Sequence, residues 1–419
     1  MNILLKNLIN SKVTKNGIWM FLLQGFNTIV PLITLPYITR ILSPTAYGNF
    51  ALALNWISYF QVIVEYGFDL TGPRQIVMRE SDEDLNKIYS NIISARFILL
   101  IVCCIFFIVI IYFTCIGKTQ IKCMSILFFM VVAVVFQQNW FFQGISEMQN
   151  ISIINMISRT ISVLLIFLLI KNPEDVYLYC FLYAFNYIVS GLIGCFIVHY
   201  KYKIHFKVYD ISLIFKCISD GWHLFLSSAM GKIFGSIAIT VLGMISTKED
   251  IGIYSVINKI PYVLTILFSA LSQTIYPINC RNFQTSYIEG IKKVKKIAIP
   301  ILIVFISIGS LIIILRYYIV YYAFGYVYAQ KSILLIPLII WAVFGIINNF
   351  LGIQILVASG HQKEYSIAFQ INLLIMVSFM VIIGNVLGIY GIAISTMISE
   401  IIFCVILYRK IQKIKKVIS

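Results

Sequence analysis

What most constrains this chain is a succession of apolar stretches, each near the roughly 20 residues a helix needs to cross a bilayer. They fall near 17–39, 46–70, 91–114, 121–143, 151–171, 176–199, 221–246, 251–278, 297–316, 331–358, 365–386 and 389–408. Backbone amides find no water in lipid, so segments of this kind cross as helices. The expected fold is an all-α polytopic membrane protein of about twelve transmembrane helices. Composition agrees, with 60% apolar and 11% charged residues where soluble domains carry about 25% charged. No polar stretch is long enough for a separate soluble domain. The first apolar run follows Lys6, Lys12 and Lys15 and continues past signal-peptide length without a small-residue cleavage site. It is expected to stay as span one.

The formal net charge is +16, which in a soluble protein would point to nucleic acid. Here the basic residues sit between spans, where anionic headgroups and membrane orientation account for them, and no nucleic-acid partner is expected. Sorted by side, with Arg96 and Arg159 counted among the inner group, 23 basic residues fall with the N-terminus and seven opposite. The positive-inside rule then makes both termini cytoplasmic. Nine cysteines show no C-x-x-C spacing, and the four histidines show no zinc-type spacing. Neither a metal site nor a disulfide framework is indicated. No Gly-rich phosphate loop occurs. No cofactor and no catalytic role are expected. Among the longer inner loops, 71–90 contains Ser81 through Asp84 as a helix start and Glu83 and Lys87 at i, i+4, which predicts a short amphipathic helix on the inner surface.

Twelve spans suggest two halves of six. Sliding residues 16–74 forward by 204 aligns Asn16-Gly17 with Asp220-Gly221, Gly48 with Gly252 and Pro73 with Pro277. The expected organisation is an N-terminal six-helix lobe over 1–199, an inter-lobe linker over 200–220 and a C-terminal lobe over 221–419. An even number of spans per half makes the repeats parallel, with a central cavity between them as the natural place for cargo. Polar residues recur at matching places: Gln24, Asn27 and Thr28 in span one against Ser228, Gly231 and Lys232 in span seven, and Asn55 in span two against Lys259 in span eight.

Charges inside spans are functional by default, since each costs at least ~2.5 kcal/mol at the bilayer centre. Lys232 lies about 16 Å into span seven and Lys259 about 12 Å into span eight, at 1.5 Å per residue. A packing lysine held by a carboxylate competes for the first, and snorkelling for the second. Glu65 and Asp69, four apart near the end of span two, could relay protons or pair with rim cations. Glu400, in a row with Thr396, could be a coupling site or the counter-ion of a lysine. Span four ends in Gln137-Gln138-Asn139-Trp140-Phe141-Phe142-Gln143-Gly144. These amides suit interhelical hydrogen bonds or a wall that touches sugar hydroxyls. Pro31 and Pro36 are expected to kink span one.

Residues Pro36-Tyr37-Ile38-Thr39-Arg40-Ile41-Leu42-Ser43-Pro44, followed by Tyr47-Gly48, resemble the first-loop signature of bacterial O-antigen and capsular polysaccharide flippases of the Wzx type. Gly67 through Arg74 and Phe142-Gln143-Gly144 are similar too. The resemblance covers the whole chain in length, span count and orientation. It implies membership of the multidrug/oligosaccharidyl-lipid/polysaccharide exporter superfamily, whose members carry twelve or more helices in two lobes around a cavity. It further implies a flippase that moves undecaprenyl-pyrophosphate-linked oligosaccharide repeat units between leaflets of the bacterial inner membrane by alternating access. The expected partners are that lipid-linked cargo, the lipid bilayer, a polysaccharide polymerase and a chain-length regulator.

Lys232, Lys259, Asn27, Asn55, Arg40, Gln138 and Asn139 are expected to meet substrate, and Glu65, Asp69 and Glu400 to serve coupling or ion pairing. Related lipid II flippases use cations of the first, second and eighth helices; here Asn27 and Asn55 are neutral, so the anion site is expected to be built differently. Another polyprenol-linked glycan, such as a teichuronic-acid-like or enterobacterial common antigen unit, is the alternative cargo. A polymerase should show a large charged outer loop, and a cation-coupled small-molecule antiporter a carboxylate-rich cavity.

Overall fold

The computed structural model describes residues 12–113, 117–207, 209–284 and 286–418; Lys6 lies outside them. The described residues form helices joined by short turns. They are α1 (Lys12–Ile41), α2 (Pro44–Glu65), α3 (Phe68–Val77), α4 (Asp82–Phe113), α5 (Lys118–Leu127), α6 (Phe129–Phe136), α7 (Asn139–Gly144), α8 (Met148–Leu169), α9 (Val176–Tyr202) and α10 (Ile211–Ile245). There follow α11 (Lys248–Ile257), α12 (Lys259–Asn282), α13 (Tyr287–Ile314), α14 (Arg316–Phe324), α15 (Tyr326–Ala329), α16 (Leu335–Asn349), a π-helix (Phe350–Val357) and α17 (Gln362–Ile418).

Ten helical stretches among the described residues are long and apolar enough to cross a membrane. The last is α17, whose 57 residues would extend about 86 Å if straight, far beyond a core of about 30 Å. It bends at Gly388, with φ 56° and ψ −132°, a conformation that only glycine adopts without strain, and so supplies two passes. Adding α2, with 22 residues but too polar for the apolar criterion, brings the spans to twelve. That α2 is polar follows from its setting. Asn49, Asn55, Ser58 and Gln61 are buried in protein, whereas α4 and α13 turn Ile101, Ile105, Ile108, Ile303 and Leu311 outward, as lipid-facing helices do.

The chain divides into two compact units, Met1–Ser236 and Ile237–Ser419, with the division inside α10. In the first, α9 packs on α8 and α6, α2 on α5, α1 on α8, and α3 on α7. The α3–α7 crossing is close because it is built on glycine: a Cβ on Gly72 would come within 2.6 Å of Trp140, and one on Gly144 within 2.7 Å of Ile76. In the second, α16 is the central helix, packed on α12, α13 and α17.

Local signals in the sequence explain several helix starts. Ser43 accepts a hydrogen bond from the Ala46 N–H at 3.2 Å with Pro44 opening α2, the usual chemistry of a capped start. Ser81 and Asp84 cap each other reciprocally at 3.1 Å, and Glu83 pairs with Lys87 at 3.6 Å. This helix does not stop at the membrane surface, however. It continues unbroken to Phe113, so the expected separate surface helix is instead the first turns of span three.

Candidate functional site

Span two ends sharply. Tyr66 (φ 47°) and Gly67 (φ 74°) both take left-handed backbone, closing α2 at Glu65 and starting α3 at Phe68. Glu65 and Asp69 therefore do not share one helix face, as their spacing had suggested; a corner separates them. Tyr66 is fixed there by stacking on Phe225 of α10, with centroids 4.5 Å apart and planes 7° from parallel.

Beside this corner lies Arg96, 1% exposed and 14 residues into α4. Counted by sequence with the inner loop, it is in fact inside the protein. Its Nη1 donates to the carbonyls of Val134 at 3.1 Å and Gln137 at 2.9 Å, and its Nη2 approaches Asp69 at 3.4 Å. The rings of Phe68 and Trp140 flank it at 5.8 and 6.0 Å. The reason is in span four, which is not one helix. Gln137 is extended, with φ −72° and ψ 125°; the Val134 carbonyl keeps the Gln137 N–H at 3.2 Å, but the break between α6 and α7 leaves the Gln137 carbonyl without a helical partner. In a membrane such groups need an internal donor, and the guanidinium supplies it.

The amide-rich segment is thus this break rather than the end of a continuous span. Gln138 is 2% exposed and donates to the Phe136 carbonyl at 3.1 Å and the Cys195 sulfur at 3.3 Å. Asn139 accepts from Asn155 at 3.4 Å.

A second polar group gathers on α1, α2, α8 and α9. Arg159 stands near the middle of the 22-residue α8, about 15 Å from either end, and was likewise counted by sequence with the inner residues. It is half-buried and donates from Nη1 to the Asn27 side-chain oxygen of α1. Tyr183 and Tyr187 of α9 lie within its field, one turn apart with ring centroids 6.3 Å from each other. Tyr187 shares a side-chain hydrogen bond with Gln61 of α2. Asn55 is buried on the same helix.

Lys232 is half-buried in α10, 13 residues before the helix end, hence about 20 Å from it. Its charge acts on Glu65, as do those of Asp69 and Arg96. The corner at Tyr66 and Gly67 therefore gathers two carboxylates and two cations. Arg40 is exposed in the last turn of α1.

In the second unit, Lys259 is exposed at the first position of α12, where Asn258 interrupts span eight. Its Nζ sits 5.8 Å from the centroid of the Tyr262 ring. Glu400 is 9% exposed, and its carboxylate and carbonyl both accept from Asn348 of α16, the carbonyl at 2.9 Å. The partner of Glu400 in this structure is thus an amide, not a lysine. At the next residue and in the π-helix beyond it, Ser272 of α12 donates to Asn349 at 2.8 Å, Gln354 of the π-helix donates to the Ser272 hydroxyl at 2.9 Å and carbonyl at 3.0 Å, and Asn279 donates to Gln354 at 2.8 Å.

Outside the spans, two carboxylates are held ionised. Burial pushes Glu147 up, but hydrogen bonds from Tyr202, Lys201 and Asn150 outweigh it and hold the group below its ordinary value. The N–H groups of Lys171 and Asn172, at 2.9 and 2.8 Å, hold Asp175 below the usual carboxylate range. Among the described residues no group of three or more His, Cys, Asp or Glu side chains could hold a metal ion.

The fold defines a polytopic membrane protein with charges inside its spans, and comparison with known proteins narrows the class. Residues 13–283 match the family described as polysaccharide biosynthesis protein, and the chain belongs to that family. Two curated relatives bear the name "Putative O-antigen transporter". That of Escherichia coli K12 is 24% identical over 84% of this chain and 85% of its own length, and that of Shigella dysenteriae 23% over 95% and 100%. Among solved structures, the lipid II flippase MurJ in an inward closed conformation aligns over 95% of this chain and 87% of its own, with TM-score 0.68 and 16% identity. An inward-facing multidrug resistance MATE transporter of the MOP superfamily aligns over 94% and 96%, with TM-score 0.66 and 14% identity. At such identities the likeness shows a shared fold.

Proposed function

We propose that this protein is a flippase for undecaprenyl-pyrophosphate-linked oligosaccharide repeat units, O-antigen or a similar polysaccharide. It carries the head group from the cytoplasmic to the periplasmic leaflet of the bacterial inner membrane by alternating access, with both termini cytoplasmic. The observation that carries the reading is Lys232, a half-buried cation about 20 Å from its helix end, in a chain whose family concerns polysaccharide biosynthesis. A cation at that depth suits a diphosphate, whose charge must be neutralised while the glycan crosses. The lipid tail never has to leave the bilayer. Lys259 is the second diphosphate-binding group, and Asn27, Asn55 and Asn139 offer amides to sugar hydroxyls. Glu65 and Glu400 are the carboxylates available for coupling to an ion gradient. A cationic cargo fits these lysines poorly.

The test is glycan display in a strain whose own flippase gene is deleted. Lys232→Arg and Lys259→Arg should retain much of the export, while Lys232→Gln and Lys259→Gln should lower it at least tenfold at unchanged membrane abundance. Wild-type export by both glutamine variants would remove the lysines from the mechanism. Absence of any export by the wild-type chain, across strains making different lipid-linked glycans, would overturn the flippase reading.

A further inference from the structure

Arg159 presents an imbalance that packing does not explain. It stands mid-span, half-buried, with its one hydrogen bond among the described residues going to a neutral amide, that of Asn27. The ion pairs among those residues join Lys87, Arg96, Lys201, Lys293 and Lys410 to carboxylates, and Arg159 is not among them. The charges acting on Glu65 come from Asp69, Arg96 and Lys232, and this carboxyl shares with Arg159 only a common neighbour, Tyr187, on which both act. A guanidinium has five N–H donors in a rigid fork, and Asn27 engages one of the two on Nη1. Were the contact a strap between α1 and α8, a neutral donor would do the same without a charge in the membrane. Arg96 shows what a structural arginine looks like in this protein: wholly buried, clamped on two carbonyls and facing a carboxylate. Arg159 has none of these features except depth.

The surroundings suit an oxyanion. Tyr183 and Tyr187, both half-buried, bring phenolic O–H groups into the field of the guanidinium, and Asn27 adds an amide. Charge-assisted bidentate bonds from arginine match the paired oxygens of a phosphate group, and phenol and amide donors can take the oxygens left over.

We infer that Arg159, with Tyr183 and Tyr187, forms a phosphate-oxyanion site in the first unit that receives the diphosphate of the cargo. This deepens the flippase reading and rests on it. It adds donors on α8 and α9 to the two lysines already proposed to bind the diphosphate, and makes Arg159 one of the residues that distinguish a diphosphate from an uncharged prenol.

The experiment uses the full chain in nanodiscs of zwitterionic phosphatidylcholine, with farnesyl diphosphate as probe and farnesol as the uncharged control. Binding is read by calorimetry and thermal stability by intrinsic fluorescence. Arg159→Gln should weaken diphosphate binding at least tenfold, leave farnesol binding within twofold, and shift the unfolding midpoint by no more than a few degrees. Arg159→Lys, which keeps charge but loses the fork, should fall between. A second measurement needs no variant: saturating farnesyl diphosphate should protect Arg159 of the wild-type chain from an arginine-selective dicarbonyl reagent, read by mass spectrometry. Equal affinity in wild type and Arg159→Gln, or no protection, overturns the assignment while leaving the flippase reading in place. Failure of the wild-type chain to bind the diphosphate takes down both. Equal protection by phosphatidylglycerol would assign the site to a bulk lipid headgroup and likewise overturn the inference.

Discussion

Replacing Arg96 by Met tests whether this residue is a pin for the broken fourth span or one half of an ion pair. The substitution keeps the length and apolar stem but removes the donors that serve the Val134 and Gln137 carbonyls. The Val134 carbonyl keeps the Gln137 N–H at 3.2 Å, so the substitution leaves the Gln137 carbonyl without a partner, at about 1–3 kcal/mol. Relief from holding a cation out of water and loss of the Asp69 contact act in opposite directions, leaving about 2 kcal/mol. For a domain the size of the first unit, Met1–Ser236, each kcal/mol shifts the midpoint by about 2–4 °C, so Arg96→Met should lower it by about 4–8 °C.

Asp69 is the control, because its side chain is 53% exposed and 3.4 Å away. The Asp69 end of the pair is open to solvent, where water can replace its carboxylate, so its contribution is no more than about 1 kcal/mol, and Asp69→Asn should cost about 2–4 °C at most. The assay is thermal unfolding in detergent, followed by intrinsic fluorescence, with hydrogen exchange read over residues 134–144. Arg96→Met should speed exchange there and Asp69→Asn should not. Equal shifts for the two variants, or an Arg96→Met midpoint within 2 °C of wild type, would refute the pin.

Three further outcomes are expected. Alkaline phosphatase fused after Lys118 should be active and after Lys201 inactive, and the reverse pattern would invert the topology. Glu400→Gln preserves an acceptor for Asn348, so abundance should hold while transport falls at least tenfold if the carboxylate couples transport to an ion; unchanged transport would remove it from the mechanism. Asp175 is depressed in the folded state by the Lys171 and Asn172 N–H groups, so its contribution is present above the ordinary value of 3.8 and fades as pH falls through the lower folded value. Asp175→Asn should cost no more than about 1 kcal/mol after solvent screening at pH 7, and the gap from wild type should close toward pH 2. A gap that widens in acid would contradict the sign.

The spans were legible because apolarity is a local property that survives without knowledge of neighbours. So were the starts at Ser43-Pro44 and at Ser81 through Asp84, whose partners lie within a few residues. Arg96 and Arg159 were not legible. A basic residue near the edge of an apolar run reads as a rim cation, and only the facing helix reveals whether it is one. With both inside the protein, 21 of the 23 residues remain in the group assigned to the inner side, so the orientation argument keeps its sign. The break at Gln137 carries neither Pro nor Gly, because Arg96, 41 residues away in sequence, satisfies the exposed carbonyl that those residues would otherwise announce. The same holds for Glu400: its partner Asn348 is 52 residues away.

The π-helix at Phe350–Val357 has a consequence for how the second unit can move. Asn349 and Gln354 both bond the Ser272 hydroxyl, at 2.8 and 2.9 Å, although five residues separate them. On an ordinary α-helix, at 3.6 residues per turn, two such positions point about 140° apart and could not meet one small side chain. The wider i→i+5 winding brings them round to the same side. Winding and hydrogen bonding are therefore one variable here: retightening the segment by a single residue would swing Gln354 away from Ser272 and Asn279 and turn everything beyond Val357 about its axis, so the serine acts as a catch on the rotation of the helix that follows.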